Sequence, residues 1–362
     1  MTRLSKLLNT LKMPIFQAPM AGGVVSPAMI AAVNQAGGLG SLPLGYLDVK
    51  ATEEALKKTC AVTTKPFAIN VFIPSPTNTP SSATITKMLE HTNRYRQQLG
   101  LQTLTEIPPL TEAAPETLID LALHYGVRIV SFTFGTLSQE TIQRLHHQDV
   151  IVMGTATSIH EGQYLQEIGC DAVIAQGYEA GGHRGGGYLP QESGGEIGTM
   201  VLVPQMVDAL NIPVIAAGGI MDGRGIVAAQ ALGATAVQMG TAFLACKESL
   251  ASDLHKRTLI ESSDQSTYIT PVFTGKSVRG IQNEYVLDTE KNFSLQDILP
   301  YPLQHQVTKD VRAKANQSGR PEWASFWAGQ GHRMSRTLSV AELMEKFSEE
   351  MQAATARHTL TK

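Results

Sequence analysis

The feature that most limits how this chain can fold is a rhythm repeated eight times: a short apolar run, a break in Gly, Pro or Ser, then an amphipathic segment. The runs are IFQAPM (15–20), GLGSLP (38–43), FAINVFI (67–73), RIVSFTF (128–134), VIVMGT (150–155), AVIAQG (172–177), PVIAAG (213–218) and AVQMGT (236–241). Most are rich in Val, Ile and Phe with little alternation, as strands covered on both faces are. Strand patterns alternating with helical ones predict a parallel sheet with helices outside. Eight units predict an α/β fold, a TIM (β/α)8 barrel. A doubly wound sheet is the alternative.

Three helical segments carry terminal signals or faces. SPAMIAAVNQAGG (26–38) places Ser26 at an N-cap, Pro27 at the first helical position and Gly37 at the stop. SIHEGQYLQEIG (158–169) spaces Ile159, Tyr164, Leu165 and Ile168 helically. In DGRGIVAAQALGA (222–234), Val227, Ala228, Ala231 and Leu232 are expected on the inner face, with Gln230 turned away.

Two stretches break the rhythm. Residues 74–115, rich in Pro, Thr and Ser with a helix expected near 83–99, read as an insertion after the third strand. Residues 246–335 follow the eighth strand and hold both tryptophans. The tail 339–356 is an amphipathic helix with Ser339 and Glu342 in capping-box positions. The expected organisation is a barrel over 1–245, with the insertion at about 74–115, and a mostly helical extension over 246–362 packing across the barrel mouth.

Composition excludes several classes. Net charge is −3 and no basic stripe occurs, so no nucleic-acid partner is expected. Cys60, Cys170 and Cys246 lie far apart without a CxxC, which implies neither a disulfide framework nor a zinc site and points to a reducing, cytoplasmic setting. No metal cluster is expected, and His146 and His147 are expected to be solvated on a polar helix end. Polar residues interrupt the amino-terminal segment before any apolar core forms, so it reads as an amphipathic lead-in. No run approaches membrane-spanning length.

Barrel enzymes carry their sites on loops after the strand C-termini, often with phosphate held after strands seven and eight. Here those strands close on Gly218 and Gly219 and on Gly240 and Thr241. Glycines let backbone N–H groups approach an anion, and two such turns point to a phosphate-bearing ligand. Asn70, Gln176 and Gln238 place amides, which both donate and accept, toward strand ends. That suits a flat heteroaromatic ring. Gln17 is as readily a group that satisfies loop backbone. The small residues of QAPMAGG (17–23) permit close backbone contact, and Met20 can cover an aromatic face or simply fill core. No GxGxxG opens a helix after a strand. TGKS (274–277) fails as a P-loop, because Thr270 stands where glycine is required. In QGYEAGGHRGGGYLP (176–190), His183 sits among glycines on the presumed active rim, placed to act as a general base. The glycines after it read as a turn leading away.

In order along residues 13–335, PIFQAPMAGG, FAINVFIP, QGYEAGGHRG, IPVIAAGGIMDGRG, QMGTAFL and WAGQG resemble the nitronate monooxygenase family, class I, formerly 2-nitropropane dioxygenase. The resemblance implies an FMN-dependent barrel that oxidises alkyl nitronates, such as propionate 3-nitronate, with O2 to a carbonyl compound and nitrite. It implies that His183 is the base for neutral nitroalkanes. FMN would be bound by Asn70, Gln176 and Gly181, by Met20, Ala21 and Gly22, and at its phosphate by Gly218, Gly219, Gln238, Met239, Gly240 and Thr241. Tyr301 and Lys309 match the family's substrate segment, and His305 stands in place of a second tyrosine. Three rivals remain at this stage: an FMN-dependent NAD(P)H-using enoyl or quinone reductase, whose loop carries a similar GGH; a flavin-free phosphosugar enzyme; and a binding scaffold.

Overall fold

Each of the eight apolar runs becomes a strand. In the computed structural model, which describes residues 2–74, 78–189 and 196–359, these are β1 (Ile15–Gln17), β2 (Ser41–Pro43), β3 (Ala68–Phe72), β4 (Ile129–Thr133), β5 (Ile151–Ala156), β6 (Ala172–Gln176), β8 (Val214–Ala217) and β9 (Ala236–Met239). They form one parallel sheet in the order β1-β9-β8-β6-β5-β4-β3-β2. A parallel bridge between Phe16 and Leu39 joins β1 to the approach of β2, with Gln17 N donating to Leu39 O at 2.8 Å and Leu39 N to Ile15 O at 2.9 Å. The sheet thus closes into a TIM barrel with helices between its strands. β1 stops at Gln17 rather than Met20, because Pro19 has no N–H to give a ladder and the chain turns there onto the mouth.

A second, antiparallel sheet orders β10 (Thr267–Thr270), β11 (Val278–Ile281) and β7 (Gly182–His183). His183 pairs with Val278 and Gly182 with Arg279. The stretch read as a loop in the sequence is therefore an edge strand for two residues. Alternation cannot reveal so short a strand.

The barrel's lower end is sealed locally. Ala68, Ile129, Ile151, Ala172 and Ala236, each the first residue of its strand, form a buried cluster with Leu4 and Leu7 of the helix Arg3–Leu8. The same helix's Arg3 lies 3.8 Å from Asp171. His146 is also held there: its Nε2 is 3.0 Å from Asp171, so it is paired rather than solvated.

Residues 78–115 and 246–335 build a second lobe with one core. Met88, Leu89 and Tyr95 of the helix Ser82–Gln98 pack with Phe273, Tyr285, Val307, Trp323 and Phe326. Fully buried Arg96 fastens the two parts: it donates to Asp310 Oδ1 and to Val307 O, both at 2.7 Å. The insertion and the post-barrel segment are thus one cap. Residues 75–77, part of the expected insertion, lie outside the described residues.

The last helix departs from the expected mouth-covering extension. Val340–Thr359 packs on Gly223–Ala231 and on Pro27–Gln35, and Val340, Leu343, Met344 and Phe347 join the main barrel core. It completes the outer helical ring. A Cβ on Gly223 would meet Met351 N at 2.4 Å, so the two helices approach too closely for any other residue. This contact also corrects the expected face of Gly223–Ala231: Gly223, Ile226 and Ala229 are buried, whereas Ala228 and Ala231 are exposed. The inward face is set by the small residue the partner helix requires. Ser26 and Ser339 cap as read, Ser339 Oγ and N donating to Glu342 Oε2, both at 2.7 Å.

Candidate active site

Strand C-termini and the cap enclose one cleft. Asn70, Gln176, Gly218, Gly219, Gln238, Met239, Gly240 and Thr241 line it from the barrel, with Met20 and Ala21 after β1 and Gly181 and His183 on the cap sheet's approach. Among the sequence candidates, Gly22, Tyr301, His305 and Lys309 do not line it. Lining residues given no individual role in the sequence are Tyr46, Phe134 and His255, with Trp327, Gly329 and Gly331 of the WAGQG motif. WAGQG offered a signal, since closely spaced glycines beside a tryptophan mark close backbone approach.

That approach is direct. Gly329 N donates to Thr241 Oγ1 at 3.0 Å, and Gln330 N donates to Glu179 O at 3.0 Å. A Cβ on Gly181 would meet Gly329 N at 2.4 Å. The late segment therefore lies over the turns after β6 and β9, making part of the wall with backbone alone. Thr241 Oγ1 is the acceptor in the bond from Gly329 N, so its own proton is not used there. So does Gly182 serve conformation: its φ is 75°, with open space around a Cβ.

The amides divide. Gln17 Oε1 accepts from Ser41 N at 3.0 Å and its amide donates to Ala18 O, so it satisfies backbone. Gln176 is committed too: Nε2 donates to His183 O at 2.9 Å, and Oε1 accepts from Gly185 N at 2.8 Å. It borders the cleft but holds the loop. Asn70 donates to Ser131 Oγ at 2.9 Å, which fixes its orientation and leaves its carbonyl as an acceptor.

The glycines after His183 do not simply lead away. Gly185 O accepts from Phe134 N at 2.8 Å and Thr133 Oγ1 at 3.0 Å. A Cβ on Gly185 would meet Thr155 Cγ2 at 2.5 Å, and one on Gly186 would meet a Glu161 carboxylate oxygen at 2.3 Å. Buried Glu161 receives Gly187 N at 2.6 Å. Arg184 donates to Gln176 O at 3.1 Å and Gly177 O at 2.7 Å. His183 is thus gripped on both sides. Pro190, which ends that motif, lies outside the described residues.

Nearby charges and burial set the state of His183. Desolvation pushes the His183 pKa down to about 3, aided by the charges of Lys276 and Arg312. Buried Arg312 donates to Thr308 Oγ1 (3.2 Å) and Ser325 Oγ (3.1 Å), and lies 3.1 Å from His305 Nδ1, all neutral partners. The Lys276 ammonium sits 5.0 Å from the Phe134 ring centroid, and burial lowers its pKa. No carboxylate lines the cleft among the described residues. His305 stacks on Tyr46, and the Tyr301 ring centroid lies 5.4 Å from Phe134 and 6.0 Å from His183, both of which line the cleft. The substrate candidates form a second layer. Lys309 is one turn beyond His305 on Leu303–Gln317, where its charge acts on His305.

A closed (β/α)8 barrel with a cap, a glycine-walled cleft at the strand C-termini and a desolvated histidine defines a barrel enzyme, and comparison with known proteins makes it an oxidoreductase. The chain belongs to the nitronate monooxygenase family, whose model matches residues 2–350. It is 40% identical over 359 residues to a probable nitronate monooxygenase of Staphylococcus haemolyticus, covering 96% of each chain. To that of Bacillus subtilis it is 40% identical over 345 residues, covering 94% of this chain and 96% of the relative. Among solved structures it superposes on nitroalkane oxidase from Streptomyces ansochromogenes with a TM-score of 0.88 and 35% identity, covering 98% and 99% of the chains. FabK from Thermotoga maritima gives 0.76 and 28%, covering 100% and 99%. Among the described residues, no helix is long and apolar enough to cross a membrane, and no three His, Cys, Asp or Glu side chains gather to hold a metal.

Proposed function

We propose that the protein oxidises alkyl nitronates of the propionate 3-nitronate class with O2, using FMN, to a carbonyl compound and nitrite. The observation that carries this reading is the pairing, in one cleft, of a glycine wall and a neutral imidazole set beside two cations. The residues fit FMN. Gly218, Gly219 and Gly240 would offer backbone to a phosphate, and Thr241, whose Oγ1 accepts from Gly329 N, would have its hydroxyl proton to give. Asn70 and Gln238 suit the edge of a flat ring, beside Met20 and Ala21. Gln176 and Gly181 would act by shaping the wall.

Bound FMN supplies the electron chemistry. The chain supplies position and charge. Lys276 and Arg312 favour an anion, and a nitronate is one; a substrate carboxylate would gain from the same field. A nitronate needs no proton removed. A neutral nitroalkane must lose its α-proton, which His183 would take. With its pKa near 3, His183 gives that transfer little driving force, so nitronates are the preferred class. The rival reading, reduction by NAD(P)H, is separated by one experiment. Purified holoenzyme is mixed aerobically with propionate 3-nitronate, then anaerobically with NADH alone. Nitrite release with O2 uptake supports the proposal. Bleaching of the flavin by NADH without nitronate oxidation overturns it.

A further inference from the structure

We propose that Thr274 is a positioning residue that holds His183 as the Nε2–H tautomer, making Nδ1 the atom that accepts the substrate proton. This rests on the reading of His183 as a base. The rejected P-loop look-alike TGKS supplies the device.

His183 Nε2 lies 2.9 Å from Thr274 Oγ1. The same oxygen is 3.1 Å from Lys276 O, to which it donates, and Lys276 N donates back to it at 3.4 Å. A hydroxyl has one proton and two lone pairs, and a carbonyl oxygen can only accept. All three contacts are satisfied at once when the Thr274 proton goes to Lys276 O and the ring donates to Thr274 Oγ1. Nε2 carries the hydrogen and Nδ1 carries the lone pair. Thr274 is fully buried, so water does not compete for these positions.

The turn that presents Thr274 is itself fixed. Thr274 N and Gly275 N both donate to Pro271 O, at 3.1 and 2.7 Å. Two residues beyond Lys276, Val278 pairs with His183 in the cap sheet, and Ser277 O accepts from Arg184 N at 2.9 Å. The cap thus grips the histidine by its main chain and its ring together. In the step this serves, the substrate Cα–H bond breaks, an Nδ1–H bond forms, and the electron pair passes into the nitro group as the nitronate. Thr274 is a neutral acceptor, unlike the carboxylate of a catalytic triad, so it sets the tautomer without strengthening the base.

The test compares wild type, Thr274→Val and Thr274→Ser as holoenzymes, with ¹⁵N-labelled histidine and with kinetics on nitroethane and propionate 3-nitronate; His183→Asn assigns the resonance. The wild type and the Ser variant should show His183 with a non-protonated Nδ1 and a protonated Nε2, and the Val variant should lose that bias. kcat/KM for nitroethane should fall about ten- to a hundredfold in the Val variant, much more than for the nitronate, and recover in the Ser variant. A protonated Nδ1 in wild type, equal losses on both substrates, or no recovery with Ser would overturn the proposal. The tautomer is read in resting protein, so it stands apart from the functional reading, which fails only if the wild type oxidises no nitronate.

Discussion

The His305 imidazole lies flat on the Tyr46 ring, with centroids 4.3 Å apart and planes 3° apart. Tyr46 lines the cleft and His305 does not, so His305 bears on the cleft through its neighbour. Tyr46 has a φ of 73°, and the stack helps hold a side chain whose backbone is in an unfavoured region. Such a ring pair contributes about 0.5–1.5 kcal/mol. His305→Ala should therefore raise KM for nitronates about two- to tenfold with a smaller change in kcat. Steady-state kinetics with short and long nitronates checks this, and the loss should depend on chain length.

Replacing the histidine at the rim separates binding from proton removal. His183→Asn should lower turnover of neutral nitroalkanes by about 10²–10⁴ and that of pre-formed nitronates far less. Parallel assays of nitroethane and ethylnitronate with the purified variant provide the measurement.

The pH dependence follows from the sign of the shift. A pKa lowered to about 3 leaves His183 neutral across pH 5–8, so kcat/KM for nitroalkanes should show no limb near 6.5 from this group. Lys276→Met removes one cation that disfavours the imidazolium. The folded pKa then rises, while burial keeps it below 6.5, and the acid limb should move upward. A pH–rate profile of the two proteins reads the movement.

Stability carries the same sign. His91, His183, His255 and His305 are held to about 4, 3, 4 and 2, each chiefly by burial. The unfolded chain binds protons at these sites below about pH 6.5 and the folded chain does not. Their stabilising contribution is complete above that pH and is lost as pH falls toward the folded values. Tm should therefore drop between pH 6.5 and 4 by scanning calorimetry, and His305→Phe should lessen the drop.

The cap depends on a buried cation. Arg96 is fully buried and bonded to Asp310 and Val307 O. Arg96→Met should cost about 2–4 kcal/mol, seen as a lower denaturation midpoint, and should free the cap before the barrel unfolds.

How much of this could be read from the chain depends on range. The barrel was legible because each strand is a short apolar run with its own turn, and Ser26, Pro27 and Ser339 are local signals. The position of Val340–Thr359 was not: an amphipathic face does not say which partner it meets, and only Gly223 hinted at close packing. The glycines at 218, 219 and 240 were legible as cleft residues because they end strands seven and eight. Gln176 looked like a ligand group because an amide in a strand end has no visible partner until Gly185 folds back onto it. Tyr46 and Thr274 were invisible for the same reason, since each acts through a contact across more than 90 residues.

The most direct test of the central claim is the visible spectrum of the purified protein before and after anaerobic mixing with propionate 3-nitronate. An oxidised-flavin spectrum released as FMN on denaturation, with the band lost on nitronate addition and restored with nitrite release by O2, is the expected result. A protein that stays colourless and inactive after incubation with FMN, or whose flavin is untouched by nitronate, would contradict it.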